Sequence, residues 1–111
     1  MSEDLSNKKC VPCEGGIPAF SIDQIKDFLK KVDNWSVNED EKDKFYLIKE
    51  FNFKNFVSSQ DFVNKVGDLA ETEGHHPDIS FGWGYAKVKI YTHAIGGLAE
   101  SDFILAAKID K

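Results

Sequence analysis

The sequence predicts an α+β fold: an α-β-β-α-β-β-α two-layer sandwich, with a four-stranded antiparallel sheet carrying its helices on one face. Three observations lead there. Two stretches of period-two alternation, each interrupted by a charged or Gly-rich turn, read as hairpins. Three stretches with apolar residues every three or four positions read as helices around them. The 111 residues, 41% of them hydrophobic and including nine Phe and two Trp, suffice for one core in one domain.

Residues 1–16 are polar, end on Gly15-Gly16 and read as a flexible tail; residues 17–111 form the domain. The first helix opens at Ser21, whose pairing with Gln24 makes a capping box, and Phe20 is placed to staple onto Ile25. Ile22, Ile25, Leu29 and Val32 follow at helical spacing for about three turns, until Asp33-Asn34 marks a turn. Trp35-Ser36-Val37 then begins a hairpin, Asn38 to Asp43 is its charged turn, and Lys44 to Phe53 is the long return strand. Phe45, Leu47, Phe51 and Phe53 share one parity of that strand, which Lys49 interrupts. Asn55 caps a second helix running to about Glu73, with a wide apolar stripe of Phe56, Phe62, Val63, Val66, Leu69 and Ala70. Gly74 stops it and Pro77 prevents its resumption. Asp78 to Phe81 and Tyr85 to His93 form the second hairpin around Gly82-Trp83-Gly84. After Gly96-Gly97 a last helix starts near Ala99, with Phe103, Leu105, Ala106 and Ile109 as core candidates.

Charge and composition narrow the function. A net charge of −5 and a pI near 5.1 argue against direct nucleic-acid binding, which needs a basic face. No apolar run approaches the ~20 residues of a membrane span. The Met-Ser-Glu-Asp-Leu start lacks the basic and apolar pattern of a leader, so a cytoplasmic location is expected. Cys10 and Cys13 form a lone CxxC; a zinc ribbon would need a second pair, and the surrounding Pro12 and Gly15-Gly16 are loop residues. An exposed or loosely docked N-terminal segment is the expected reading of the pair.

The most informative feature is the string Glu71-x3-His75-His76-Pro77-x5-Trp83-x9-His93-x8-Asp102, which contains all three histidines. Imidazole is the side chain whose ordinary pKa lies near neutrality, so three gathered on one half of a small domain point to proton transfer. His75 and His76 follow a helix C-terminus, where backbone partial charge favours imidazolium. Glu71, one turn upstream, is placed to orient His75 if the last turn stays helical. His76 precedes Pro77 and is biased to extended backbone, so the two rings should diverge. His93 ends the neighbouring strand and Asp102 lies in the first turn of the last helix, so all can meet at one end of the sheet. Metal binding is the rival reading, but adjacent histidines diverge and no His-x3-His pair exists, so none is expected. Trp83 and Trp35 read as packing residues, although a flat ligand would suit an aromatic wall at Trp83.

The string resembles the signature of the pterin-4a-carbinolamine dehydratases, over roughly residues 15 to 111. The resemblance implies dehydration of 4a-hydroxytetrahydrobiopterin to quinonoid dihydrobiopterin in cofactor recycling, with no metal or organic cofactor. It implies His75 and His93 as the acid/base pair, with His76 catalytic too and positioning the pterin. Glu71 and Thr92 would contact substrate and Asp102 would support the histidines. Family members are commonly homodimers or homotetramers, and the breadth of the second helix's apolar stripe fits self-association. Some animal relatives also serve as dimerisation cofactors of a transcription factor, so a non-catalytic interaction module is the alternative. Three departures bear on substrate preference. Gly74 stands where several relatives carry a polar residue, Ala99 where a Ser or Thr would cap the last helix, and the Cys10–Gly16 leader resembles that of non-animal members.

Overall fold

A computed structural model of the chain describes Leu5, residues 19–41 and residues 44–110. The elements follow the expected order: α1 (Ile22–Leu29), β1 (Ser36–Glu41), β2 (Lys44–Asn52), α2 (Phe56–Glu73), β3 (Asp78–Gly82), β4 (Tyr85–Ile90) and α3 (Glu100–Ile109), with a 3-10 turn at His93–Ile95 before α3. The four strands form one antiparallel sheet in the order β1-β2-β4-β3. The hairpins therefore meet through their second strands, and β1 and β3 are the edges.

Alternation along the strands divides the sheet into two faces. Ala86, Val88 and Ile90 of β4 are buried, while Tyr85 and Lys87, of the opposite parity, are exposed. Register puts Leu47 beside Ile90 and Phe51 beside Ala86, and Ile79 beside Val88. These residues join Val66 of α2 and Phe103, Leu105 and Ala106 of α3 in one core. Phe28 of α1 packs on Phe103 with ring centroids 5.3 Å apart.

Lys49 lies on the buried parity, paired with Val88, and has a defined counterpart. Its Nζ donates to Asp110 Oδ1 at 2.7 Å and to the Asp33 carbonyl at 2.8 Å. The other Asp110 oxygen accepts from Trp35 Nε1 at 2.9 Å. The cation also lies over the Phe51 ring, 4.9 Å from its centroid. The end of α3 thus supplies the charge that lets a lysine occupy the covered face.

Several boundaries differ from expectation. α1 closes at Leu29, and Val32 follows it in a turn held by Val32 N–H to the Leu29 carbonyl at 3.4 Å. Asn34 takes φ 61° there, a left-handed conformation that asparagine tolerates. The capping box of Ser21 and Gln24 is formed, and the Phe20 ring lies against Phe28, with centroids 4.9 Å apart. β1 starts one residue later and continues to Glu41, through residues expected to turn, because pairing with β2 satisfies its backbone despite its charge. β4 ends at Ile90 rather than His93, since Thr92 leaves the β2 ladder and bridges Gly97 instead. Leu5, within the segment read as a flexible tail, is 3% exposed and belongs to the core. Cys10 and Cys13 lie outside the described residues.

Candidate active site

The site begins where α2 stops. Gly74 adopts φ 66°, ψ 27°, its N–H donates to the Glu71 carbonyl at 3.3 Å, and the His75 N–H reaches the Ala70 carbonyl at 3.1 Å. This pair of reversed bonds is a Schellman closure, and glycine makes the left-handed residue inexpensive. It clamps the His75 backbone against the helix end while turning the chain away from the helix path.

The turned-back His75 meets α3. His75 Nε2 lies 2.7 Å from Asp102 Oδ1, with the histidine side chain 13% exposed and the aspartate fully buried. Asp102 Oδ2 accepts the Thr92 hydroxyl and the Ala99 N–H, each at 2.8 Å. One carboxylate thereby joins the end of α2, the segment after β4 and the start of α3. The Ala99 bond is the half of a capping box made from the N3 side; the other half needs an N-cap side chain, which Ala99 cannot supply. A carboxylate oxygen accepts, so a neutral His75 ring would donate to Asp102 from Nε2 and leave Nδ1 as the ring's free acceptor.

Glu71 departs from the expected partnership with His75. Its Oε1 lies 2.6 Å from His76 Nε2, and the two side chains are 79% and 62% exposed. The reason is the Schellman turn: an i,i+4 contact needs the helix to continue, and Gly74 rotates His75 off that face. The two imidazoles are consequently held by different acids, His75 by a buried one and His76 by an exposed one.

Thr92 and His93 lie at the neck and base of a closed loop. Thr92 N–H donates to the Gly97 carbonyl at 2.9 Å, and Gly96 N–H to that of His93 at 3.3 Å. Thr92 is buried with its hydroxyl donated to Asp102, which places it as a support rather than on a free surface. His93 is exposed, and its ring lies against Tyr91, with centroids 4.3 Å apart. It lines a cleft of about 230 Å³. Among the described residues no hydrogen bond links His93 to His75 or His76; they are neighbours through Thr92 and Asp102. Sequence reading passed over Tyr91, although its strand parity with His93 was the available signal.

Trp83 is distant from this end. It occupies the turn joining β3 and β4 and is 70% exposed. The histidines flank the start of β3 and the end of β4, one strand length away at about 3.3 Å per residue. It neither packs in the core nor walls the histidines. Among the described residues no three His, Cys, Asp or Glu side chains converge as a metal site, and no helix is long and apolar enough to cross a membrane.

Comparison with known proteins matches residues 18–111 to the family described as Pterin 4 alpha carbinolamine dehydratase. A protein of Rubrobacter xylanophilus named "Putative pterin-4-alpha-carbinolamine dehydratase" is 47% identical over 111 residues, covering 100% of this chain and 99% of that one. The crystal structure of a transcriptional coactivator/pterin dehydratase from Brucella melitensis superposes with a TM-score of 0.72. It is 23% identical and covers 83% of this chain and 95% of its own. A pterin dehydratase-like protein described as a RuBisCO assembly factor in the alpha-carboxysome gives a TM-score of 0.59 at 26% identity, covering 70% and 87%.

Proposed function

The chain belongs to the pterin-4a-carbinolamine dehydratase family, and on that premise we propose that it dehydrates 4a-hydroxytetrahydrobiopterin to quinonoid dihydrobiopterin in cytoplasmic tetrahydrobiopterin recycling. The observation that carries the reading is the His75–Asp102–Thr92 network, which holds one imidazole against a buried carboxylate beside the loop that presents another.

The chemistry needs two proton movements. The C4a–O bond breaks with its electron pair on oxygen, and an imidazolium protonates the departing hydroxide to water. The adjacent ring nitrogen gives its proton to a neutral imidazole as the C=N bond forms. No electron is gained or lost overall. His75, acting through Nδ1, and His93 form the acid/base pair in this proposal. His76 meets the pterin from the exposed side with Glu71 holding its ring, and Thr92 and Asp102 position the others. Self-association into a homodimer or homotetramer accompanies the reading.

The test is stopped-flow dehydration of freshly generated 4a-hydroxytetrahydrobiopterin by the wild type and a His75→Ala, His93→Ala double variant. Acceleration that survives a chelator and is lost in the folded variant supports the dehydratase; no acceleration by the wild type overturns it.

A second reading, a non-catalytic interaction module, is favoured by one observation. Phe56, Val57, Phe81 and Trp83 are exposed together near the start of α2 and the β3–β4 turn, with the Phe56 and Phe81 rings 5.5 Å apart. Such a module would tolerate loss of His75 and His93, whereas the enzyme would not.

A further inference from the structure

His93 is carried by a loop whose neck is the backbone pair of Thr92 and Gly97. The neck is uneven. The Thr92 N–H donates to the Gly97 carbonyl at 2.9 Å, while the return bond, from the Gly97 N–H to the Thr92 carbonyl, is 3.4 Å. Thr92 stands between the two proposed acid/base residues, next to His93 in the chain and joined to His75 through the Asp102 carboxylate. A displacement of the neck therefore moves one imidazole relative to the other.

The far side of the neck is covered by the chain entering α1. The Phe20 N–H donates to the Leu98 carbonyl at 2.7 Å, and the Phe20 ring packs on Phe28 and Phe103. Leu98 is itself buried in the core. These contacts bring Ala19 down onto Gly97, so that a Cβ at residue 97 would stand 2.9 Å from the Ala19 Cβ. Carbon pairs rest at roughly 3.5–4.0 Å, and a Cβ is fixed to its backbone, so one backbone would have to move. Gly97, unlike Gly96, does not have a positive φ; close approach of two chain segments, not turn conformation, is what its missing side chain serves. The neck is the side that yields. Its return bond is long and the loop beyond it exposes His93 and Ala94, whereas Ala19 is tied to the core through the residue that follows it.

We propose that Gly97 is a positioning residue for the dehydration: its bare α-carbon lets the segment before α1 seat against the loop neck and so fixes His93 relative to His75. The proposal rests on the reading of those two histidines as the acid/base pair.

The experiment compares the wild type with Gly97→Ala, Ala19→Gly and the double variant carrying both changes. Stopped-flow dehydration over a range of substrate concentrations separates kcat from KM, and thermal melts report folding. NMR of the ring signals of the three histidines reports the site without turnover. Gly97→Ala should lower kcat by about tenfold with KM within about threefold, since misplacing a catalytic group by about 1 Å can cost roughly 100-fold. It should also shift the His93 signals. In the double variant kcat should return to within about twofold of Ala19→Gly alone, and the signals should return with it. If Gly97→Ala does not fold, Ala19→Val presses on the neck from the exposed side and should produce the same fall in kcat. A folded Gly97→Ala that loses only melting temperature, or a loss of kcat that Ala19→Gly leaves unrepaired, would overturn the proposal. Signals that shift and return in a protein that never accelerates dehydration would uphold the coupling of Gly97 to His93 and overturn the catalytic reading. Dehydration whose kcat and His93 signals are indifferent to Gly97→Ala would do the reverse.

Discussion

His75 and Asp102 are joined across 2.7 Å, although one follows the end of α2 and the other lies in the first turn of α3. Asp102 is the more deeply buried partner and also accepts from Thr92 and Ala99. The contact that orients an imidazole therefore also caps a helix and closes a loop, so its disruption should register in stability as well as in turnover.

Asp102→Ala removes the acceptor for three donors and should destabilise the protein by about 2–4 kcal/mol, read as a lower urea midpoint. Asp102→Asn retains one oxygen acceptor and should cost less stability. It loses the anionic partner of His75, so dehydration should fall at least tenfold while the fold persists. Thr92→Val, nearly isosteric, should cost about 1 kcal/mol.

Gly67 and Gly74 make a paired test of backbone conformation. A Cβ at either meets nothing within 4 Å, but Gly67 lies within α2 whereas Gly74 has φ 66°. Gly67→Ala should stabilise by about 0.5–1 kcal/mol through helix propensity. Gly74→Ala should destabilise by about 1 kcal/mol through left-handed strain, with Gly74→Asn milder. Thermal melts of the three variants check the opposite signs.

The Lys49–Asp110 pair, with side chains 14% and 18% exposed, should show strong coupling. Asp110→Ala strands both the Lys49 ammonium and the Trp35 N–H and should cost about 3 kcal/mol. Lys49→Met combined with Asp110→Ala should cost clearly less than the sum of the two single changes. A double-mutant cycle in urea measures the difference, and additivity within about 0.5 kcal/mol would contradict it.

Glu71→Gln should leave stability within about 0.5 kcal/mol, because its pair with His76 is solvent-exposed. Its effect should appear in KM for the pterin, since an unanchored His76 ring samples more orientations before substrate arrives. A change in the melt with no change in KM would argue against that role.

Local chemistry made much of this protein legible in its sequence. The capping box at Ser21, the Asn55 cap and the Gly74 stop depend on residues within one turn of each other, and all are present. Strand parity likewise predicted the buried Leu47 and Phe103's place in the core follows from helical spacing. These features are set by short-range sterics and hydrogen bonding.

Only the tertiary structure decided which residues meet. It paired Glu71 with His76 rather than His75, made Asp102 the junction of three segments, and placed Tyr91 beside His93. It also extended β1 through a charged stretch and gave Lys49 its acid from the far end of the chain. The physical reason is common to these cases. A side chain's type and local backbone limit the bonds it can make, but partners distant in sequence are selected by how the helices close on the sheet, and no local pattern encodes that distance.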